Sequence, residues 1–460
     1  MSYLARAKEH SSSRIVNMFV QKVFQDDETV LYCTPGMLLE TSNTGTQSRG
    51  LHTKYEYFYH IVDDDLIQVD QNYTKTTLGQ LETTLGPVKI VSTNNQLFLA
   101  DRTAGYVYDI LDNTLTTITD ADFIADTRTI AALAERVITH SGPIFYWSDS
   151  SDATSWDGDA AFATAEGIQE NIEAVHVFQE RLYVMGSTQT EIWQTGTTDA
   201  TPFEAVSGII VPYGCEAPDS LANSSDHMFF LGKGRNGKLA VISIDRGFNY
   251  NAVSDKGPTF TIQDYESPDD AEAYCYQLEN KEFYVISFTK ANKTWQYDIE
   301  LGVWTELEYN NADRHLSQYH TAFNNKNLIT STKDANIYSL DKDTLTDNST
   351  VIVRKLRTPV LNDSFNIQFI DQLICNFANN TILHSGDGSE PVVMLRMSND
   401  GGYSFHSARH KTIGKVGEYK YKTRWTRVAH GDRIVLDITI SDPAPITLLG
   451  TYVNVSYGVA

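Results

Sequence analysis

Three features that often define the class of a protein are scarce in this chain of 460 residues. No run approaches the roughly 18 apolar residues that a membrane helix needs, so we expect no membrane insertion. The first residues contain no apolar segment long enough for a signal peptide, so we expect the protein to stay in the cytoplasm in which it is made. The four cysteines, Cys33, Cys215, Cys275 and Cys375, show neither zinc-type nor disulfide-type spacing. They are predicted to be buried thiols.

Positive charge is the next scarce feature. Asp and Glu number 59 against 36 Lys and Arg, which gives a formal net charge of −23. Nucleic-acid binding normally requires Lys and Arg side chains that face the phosphates. The excess of Asp and Glu therefore argues against DNA or RNA binding over the whole surface of the protein. It leaves open a protein that lets DNA pass without holding it. High net charge also keeps proteins soluble, which is the simpler interpretation.

Helical periodicity is limited to two short candidates, residues 129–136 and 166–175. Nearly all other segments alternate with the period of two that is typical of strands. Turns rich in Asn and Gly, as at 92–96, 234–238 and 323–327, separate these strands. Such residues tolerate the positive φ of tight hairpins. The sequence therefore predicts an all-β protein.

The strands recur as hairpins of aromatic and β-branched residues. Seven such units can be read, at residues 55–70, 89–109, 135–147, 175–195, 227–245, 273–299 and 318–340. Their starts lie 34, 46, 40, 52, 46 and 45 residues apart, close to the spacing of successive propeller blades. This pattern predicts a β-propeller of six or seven blades.

The repeat ends after a polar stretch without aromatic residues at 340–350. We therefore predict a boundary near residue 350, with a β-propeller domain over residues 1–350 and a second β domain over residues 351–460. An N-terminal strand is expected to help close the propeller ring. The longer strands of the second domain are typical of a β-sandwich.

The second domain differs from the first in charge. Between Arg396 and Arg433 there are nine Lys or Arg and three acids, a local balance of +6. Such asymmetry favours contacts between copies of the chain, or a basic patch that faces DNA or an acidic partner. The candidate residues for this patch are Arg409, Lys411, Lys415, Lys420, Lys422, Arg424 and Arg427. The alternative is a solvated strand face with Lys at its edge.

No motif for catalysis, cofactor binding or metal binding stands out. Residues 232–237 (GKGRNG) fit the GxGxxG pattern, but a strand follows where a nucleotide site needs a helix, so a hairpin turn is predicted. Residues 398–405 (SNDGGYSF) match an Asp-box, which is a turn device. His406 and His410 are four apart in a strand region and do not indicate a metal pair. We therefore predict no catalytic residue, no cofactor, no metal and no enzymatic activity.

Two other interpretations remain open from the residues alone. The first is a secreted or virion-borne propeller enzyme of sialidase type, which would need two carboxylates about 5 to 9.5 Å apart in a cleft and basic residues for an acidic sugar. The second is a receptor-binding or protein-interaction propeller with an appended sandwich. A hydrolysis screen on glycans would test the enzyme interpretation. The position of the protein in a virus particle would test the receptor-binding or protein-interaction interpretation.

An ordered series of short segments resembles the packaged-DNA-stabilisation proteins, the tail-nozzle accessory factors of short-tailed bacteriophages. The segments are TPGM at 34–37, RGLH at 49–52, YFYHIVDDDLIQVD at 57–70, GYVYD at 105–109, DADF at 120–123, FYWSDSSDATSWDGDAAFATAEGIQENI at 145–172, RLYVMGSTQTEIWQTG at 181–196 and TWQYDIELGVWTE at 294–306. The C-terminal run from Arg396 to Trp425, followed by DRIVLDITISDPAPI at 432–446, is similar to strings common in phage tail proteins. The resemblance covers most of the chain from about residue 14 onward.

This resemblance implies a structural protein of the virion tail that is synthesised in the host cytoplasm. Several copies, with six expected, would form a ring below the phage portal and its adaptor. The ring would prolong the DNA channel, help to retain packaged DNA, support its ejection and carry a tail needle or fibres at its tip. Double-stranded DNA would pass through the lumen without specific binding. The family supplies no catalytic residues to transfer.

Overall fold

A computed structural model describes residues 13–22, 29–168, 170–198, 201–254, 258–362, 366–378 and 383–457. Within this part of the chain nearly every regular element is a strand, as predicted for an all-β protein. None of its helices is long and apolar enough to cross a membrane. The first 12 residues, on which the expected lack of a signal peptide largely depends, lie outside the described residues.

Four short strands open the described chain. They are β1 (Arg14–Val16), β2 (Met18–Lys22), β3 (Thr29–Cys33) and β4 (Gly36–Thr41). These strands do not pair with one another as a single sheet. β2 and β3 pair with each other, and the hairpin of β2 and β3, like β1 and β4, completes a sheet whose other strands come from much later in the sequence.

Four small antiparallel sheets follow, each built from consecutive strands. Blade 1 contains β5 (Ser48–Lys54), β6 (Tyr57–Val62), β7 (Asp65–Val69) and β8 (Lys75–Gln80). Blade 2 contains β9 (Lys89–Ser92), β10 (Gln96–Ala100), β11 (Gly105–Asp109) and β12 (Thr114–Thr117). Blade 3 contains β13 (Ala131–Leu133), β14 (Arg136–Ser141), β15 (Ile144–Asp149), β16 (Asp152–Trp156) and β17 (Phe162–Thr164). Blade 4 contains β18 (Ala174–Phe178), β19 (Arg181–Met185), β20 (Thr190–Thr198) and β21 (Thr201–Val211).

Three further blades complete the set. Blade 5 contains β22 (Tyr213–Asn223), β23 (His227–Gly234), β24 (Leu239–Asp245) and β25 (Tyr250–Ala252). Blade 6 contains β26 (Ala271–Leu278), β27 (Lys281–Phe288), β28 (Lys293–Asp298) and β29 (Val303–Tyr309), followed by the short β30 (Asp313–Arg314). Blade 7 contains β31 (Ser317–Phe323), β32 (Lys326–Ser331), β33 (Ile337–Asp341) and, as its fourth strand, β4 from the N-terminal segment.

The first strand of each blade contacts the first strand of the next. The sequence of contacts runs β5, β9, β13, β18, β22, β26, β31 and back to β5, so the blades form a closed ring. The described residues thus contain a seven-bladed β-propeller with the first strands innermost. Each predicted hairpin unit falls in one blade, and the predicted fold class is confirmed.

Aromatic side chains fill the spaces between blades, as the alternation of the hairpins predicts. Phe229 of blade 5 stacks on Tyr284 of blade 6 with ring centroids 5.1 Å apart. Trp304 of blade 6 donates from Nε1 to the Val253 carbonyl at 3.0 Å, so it joins the same two blades by a hydrogen bond. Burial between neighbouring sheets, with no single central core, stabilises the ring.

The two predicted helices are wrong. Residues 131–133 form β13, and Ala134 and Glu135 then take positive φ values of 51° and 57°, which a helix does not allow. Residues 166–168 lie in a turn and β18 begins at Ala174, while Gln169 lies outside the described residues. The described helices are the five-residue α1 (Thr259–Gln263) and a 3₁₀ turn at Pro268–Asp270. The two segments with helical apolar spacing are only eight and ten residues long, and so short a pattern does not outweigh strand pairing.

The remaining strands build a two-layer sandwich. They are β34 (Thr346–Asp347), β35 (Thr350–Val351), β36 (Arg354–Arg357), β37 (Gln368–Phe377), β38 (Val392–Ser398), β39 (Arg409–Thr412), β40 (Thr423–Gly431), β41 (Val435–Ile440) and β42 (Thr447–Tyr457), of which β34 and β35 pair beside β4 and the rest form the layers. One layer has the order β1-β36-β41-β38-β39 and the other β2-β3-β42-β37-β40. Their inner faces enclose one apolar cluster that includes the fully buried Trp425.

Strand pairing connects the sandwich directly to the propeller. β1 pairs in parallel with β29, the outermost strand of blade 6, and antiparallel with β36, so the sheet of blade 6 continues into the sandwich. Both β1 and β3 therefore pair with strands that follow residue 350. The division of the chain into two domains at that residue stays a prediction.

Asn17 and a group of charged side chains hold this junction. Asn17 is buried, and its side chain donates to the Glu308 and Val353 carbonyls at 2.9 and 2.8 Å and accepts from the Glu308 amide at 2.9 Å. Arg14 bonds the carboxylates of Glu306 and Glu308, and Lys355 reaches Glu308 at 2.6 Å. These hydrogen bonds and ion pairs fix the sandwich to blade 6.

Candidate functional surfaces

The seven cations predicted as a patch lie on two edge strands and the loop that joins them. Arg409 and Lys411 belong to β39, Arg424 and Arg427 belong to β40, and the other three, Lys415, Lys420 and Lys422, lie between these strands. β39 ends one sandwich layer and β40 ends the other. We call this surface, made of the seven residues, the basic edge.

Hydrogen bonds hold the two edge strands together. The Thr423 hydroxyl donates to the Thr412 carbonyl at 2.9 Å. The Arg409 guanidinium donates to the carbonyls of Arg427 and Thr426 at 3.1 and 2.9 Å. Arg409 therefore closes the open side of the sandwich, and its role in the basic edge is structural.

Of the remaining six cations, one is paired. Lys415 Nζ lies 2.5 Å from Glu390 Oε1, and this carboxylate raises the pKa of Lys415. The other five are exposed and make no ion pair with another described residue: Lys411, Lys420, Lys422, Arg424 and Arg427. Charged side chains on an edge strand prevent unwanted strand pairing, and they also suit an acidic partner. The role of the basic edge stays a prediction.

Exposed aromatic residues accompany the basic edge, and the sequence reasoning missed them. Tyr419 in the connecting loop is 72% exposed, and Tyr452 on β42 is 59% exposed. Tyr452 lies opposite Ile374 of β37, and Ile374 lies opposite Arg424, so these three side chains form a row across the outer face of one sheet. The period of two within β42 could have shown that Tyr452 faces outward. Its place in one row with Arg424, two strands away, depends on a strand order that the sequence does not reveal.

An ion pair crosses the central channel of the propeller. Lys89 of β9 pairs with Asp219 of β22. These strands are the innermost ones of blades 2 and 5, which are three places apart in a ring of seven. Arg102 of blade 2 approaches the same carboxylate at 4.0 Å. The sequence reasoning missed this contact because no motif marks it.

Glu272 of blade 6 lies in the same part of the channel. Its carboxylate accepts from Gln318 at 3.3 Å and lies 4.0 Å from Arg314 Nη1. Burial raises the pKa of Glu272. Burial alone would also raise the pKa of Asp219. The positive charges of Lys89 and Arg102 outweigh this effect, so the pKa of Asp219 is lowered.

The ion pair between Lys89 and Asp219 therefore closes the central channel at the height of these two residues. A cavity of about 250 Å³ remains there, with Lys89, Asp219, Glu272, Tyr274 and Tyr319 among its lining residues. A space bridged by one ion pair admits water or a small molecule, but a nucleic acid duplex is far too wide for it. The axis of a single propeller is not a path for DNA.

The two turn motifs behave as predicted. In the Asp-box, the Asp400 carboxylate accepts from the Ser398 hydroxyl at 2.6 Å and from the hydroxyl and amide of Ser404, and these hydrogen bonds lower the pKa of Asp400. In the GxGxxG segment, the Gly234 amide donates to the Lys238 carbonyl at 3.2 Å between β23 and β24, so this segment is a hairpin. Among the described residues no group of three or more His, Cys, Asp or Glu could hold a metal ion.

These observations define a class of protein: a seven-bladed β-propeller whose last blade takes one strand from the N-terminal segment, with a β-sandwich continuing from blade 6. The chain belongs to the phage stabilisation family described as "Bacteriophage P22 Gp10, beta-propeller", whose model matches residues 3–345. The resemblance seen in the sequence is thereby confirmed.

Several solved structures are similar to part of this chain. The WD40 domain of Pan2 from Neurospora crassa is 9% identical, with a TM-score of 0.45 over 69% of this chain and 97% of that one. The computationally designed Ika8 protein is 13% identical, with a TM-score of 0.39 over 72% of this chain and 100% of that one. BamB from Moraxella catarrhalis is 13% identical, with a TM-score of 0.38 over 72% of this chain and 97% of that one. No curated protein sequence matches the chain.

Proposed function

We propose that this protein is a structural subunit of the virion tail, a nozzle or hub that extends the DNA channel below the portal and adaptor. The observation that carries this proposal is the family match across residues 3–345. In this role the protein is made in the host cytoplasm and assembles into a ring of about six copies. The ring retains packaged DNA, supports its ejection, and contacts the portal or adaptor on one side and a needle or fibres on the other.

The closed propeller channel supports a lumen built between subunits. Because Lys89 and Asp219 bridge the axis of each propeller, DNA would pass through the space that several propellers enclose. In such a ring each propeller acts as a rigid wall, since every blade is braced by two neighbours.

The charge of the chain suits the wall of a DNA conduit. An excess of carboxylates repels the phosphates of a passing duplex across about 8 to 10 Å at moderate salt, which is the range of screening. With a net charge of −23, the protein would guide DNA without holding it.

Cryo-electron microscopy of the purified full chain tests the proposal directly. We expect closed rings with a central hole wide enough for a duplex and propellers in the wall. Isolated monomers at every protein concentration and salt concentration tested would contradict it.

The basic edge has an expected role in this assembly. Reversing the charge of Lys415, Lys420 and Arg424 should weaken ring formation or docking to the adaptor more than it weakens folding, because all three side chains are exposed. Analytical ultracentrifugation and a docking assay measure the first effect, and urea unfolding measures the second. Unchanged assembly in the triple variant would contradict this role.

One observation favours a second candidate function, a glycan-acting enzyme. The pKa values of Glu272 and Asp219 are shifted in opposite directions at the channel, as in an acid and base pair, and cations stand beside both. A hydrolysis screen on acidic and neutral glycans tests this function. Activity that is lost in Glu272→Gln would support it, and no hydrolysis by the wild-type protein would exclude it for those substrates.

A further inference from the structure

A strongly acidic surface lies on blades 2 and 3. Between Asp109 and Asp159 there are ten Asp or Glu and two Arg. Six exposed carboxylates lie on the connection from β12 to β13 and around β16: Asp122, Asp126, Asp149, Asp152, Asp157 and Asp159. We call this surface, made of these six residues, the acidic surface.

Hydrogen bonds hold the two segments of the acidic surface in place. The Trp156 amide donates to Asp120 at 3.0 Å, so the start of the β12–β13 connection is fixed to the end of β16. Asp157 accepts from the Asp159 and Ala160 amides at 3.1 and 3.0 Å and shapes the next turn. The carboxylates are therefore presented by an ordered part of the propeller.

The two arginines in this stretch do not neutralise it. Arg128 turns toward Glu173 at 3.6 Å, and Arg136 donates to the Ser148 carbonyl at 2.8 Å. No Lys or Arg among the described residues forms an ion pair with the six carboxylates. Their charge is available to a partner.

The basic edge and the acidic surface lie at opposite ends of the molecule. The sandwich continues from blade 6, and in a ring of seven the point opposite blade 6 falls between blades 2 and 3. β39 is the fifth strand from β29 in the continuous sheet, so at about 4.8 Å per strand it lies roughly 24 Å from blade 6. The order from one end to the other is acidic surface, propeller, junction and basic edge.

We propose that the basic edge of one copy docks on the acidic surface of the next copy. This inference rests on the proposed ring and names its subunit contact. Each surface repels a second copy of itself, so a two-fold symmetric contact through either one is unfavourable. A head-to-tail contact instead brings five cations that form no ion pair with a described residue against six carboxylates. Head-to-tail contacts close into rings when the rotation between copies allows it.

A charge-swap experiment on the full chain tests the contact. The basic variant is Lys420→Glu with Lys422→Glu, and the acidic variant is Asp126→Lys with Asp159→Lys. We expect each variant to weaken subunit association about tenfold or more, because several exposed charge pairs become repulsive. Mixing the two variants should restore association to within about threefold of wild type, since the surfaces are complementary again. Sedimentation velocity over a dilution series measures the association.

Matched controls carry the same change in charge elsewhere. Arg235→Glu with Arg246→Glu on blade 5 matches the basic variant, and Asp226→Lys with Glu279→Lys matches the acidic one, since all four side chains are exposed. Association in both controls should stay within about threefold of wild type, and circular dichroism checks the fold of every variant.

The outcomes separate this inference from the proposed function. If the wild-type protein never assembles, the proposed ring itself fails. If the wild type forms rings and the variants do so equally well, or the mixed variants stay apart, the docking of the basic edge on the acidic surface is overturned while the ring stands. Loss of adaptor docking without loss of rings would likewise overturn it and assign the basic edge to the adaptor.

Discussion

The propeller and the sandwich are both built from antiparallel strands, yet their charges differ in sign. Residues 1–350 contain 24 Lys or Arg and 50 Asp or Glu, whereas residues 351–460 contain 12 and 9. The net charges are −26 and +3. Because the sandwich folds on the same period-two pattern without excess acid, β structure does not require the acidity of the propeller. The acidity of the propeller serves solubility, and in the proposed ring it also suits a wall beside DNA or a contact with another subunit.

The two regions also differ in how their cores are divided. The sandwich has one apolar cluster between its two layers. The propeller has several, each between neighbouring blades. A ring of small cores tolerates insertions in turns, whereas a single core makes every strand of the sandwich depend on the others.

The largest expected effect tests whether the two regions unfold as one. Trp304 in blade 6 and Trp425 in the sandwich are both buried, and we expect Trp304→Ala and Trp425→Ala each to lower the free energy of unfolding by about 3–5 kcal/mol. Because β29, β1 and β36 form one continuous sheet, each variant should still unfold in a single transition. Urea unfolding followed by fluorescence and circular dichroism measures this.

Leu111→Ala is the control for the tryptophan variants. Leu111 is 70% exposed, so its replacement should change the free energy of unfolding by less than about 0.5 kcal/mol. Two separate transitions, with each tryptophan variant moving only one of them, would show that the propeller and the sandwich fold independently.

A smaller effect is expected at the junction itself. Asn17→Gly removes three buried hydrogen bonds and should cost roughly 1–3 kcal/mol of stability, because the Glu308 amide and two carbonyls lose their partners. Asn17→Ala should cost roughly 1–2 kcal/mol more, since Asn17 has a φ of 54° that a Cβ disfavours. Thermal unfolding of the two variants separates the cost of the lost hydrogen bonds from the cost of the positive φ. Equal losses of stability in the two variants would mean that backbone strain plays no part.

Acid should destabilise the propeller through buried histidines. Burial lowers the pKa of His60 to about 3 and that of His140 to about 4. Since the unfolded chain binds a proton near pH 6.5 and the folded one does not, stability should fall as the pH drops below 6.5, by up to roughly 1.4 kcal/mol per pH unit for each histidine. His60→Gln should reduce this slope in urea unfolding between pH 7 and pH 5. The exposed His410 is the control, and a slope unchanged in His60→Gln would contradict the assignment.

The sequence predicts the repeated part of this fold far better than its long-range contacts. Each hairpin is local: aromatic alternation and turn residues such as Asn324 and Asn325, with φ values of 47° and 59°, specify it within some 20 residues. Nothing local marks the pairing of Val16 with Glu306 or of Lys89 with Asp219, because each joins chain segments that meet only when the ring closes. The exposed cations of the basic edge could be predicted from composition, whereas their place on two edge strands could not.

The smallest effect distinguishes the two roles of the basic edge. Lys411 is exposed on β39 and makes no ion pair with a described residue, so Lys411→Ala should change the free energy of unfolding by less than about 0.5 kcal/mol. If the cation protects an open strand edge, Lys411→Val should aggregate at high protein concentration, and light scattering would rise with time. If the cation serves subunit contacts, Lys411→Val should stay clear and form fewer rings in sedimentation. Because β39 is the last strand of its layer, these two results together decide between protecting the edge and docking a neighbour.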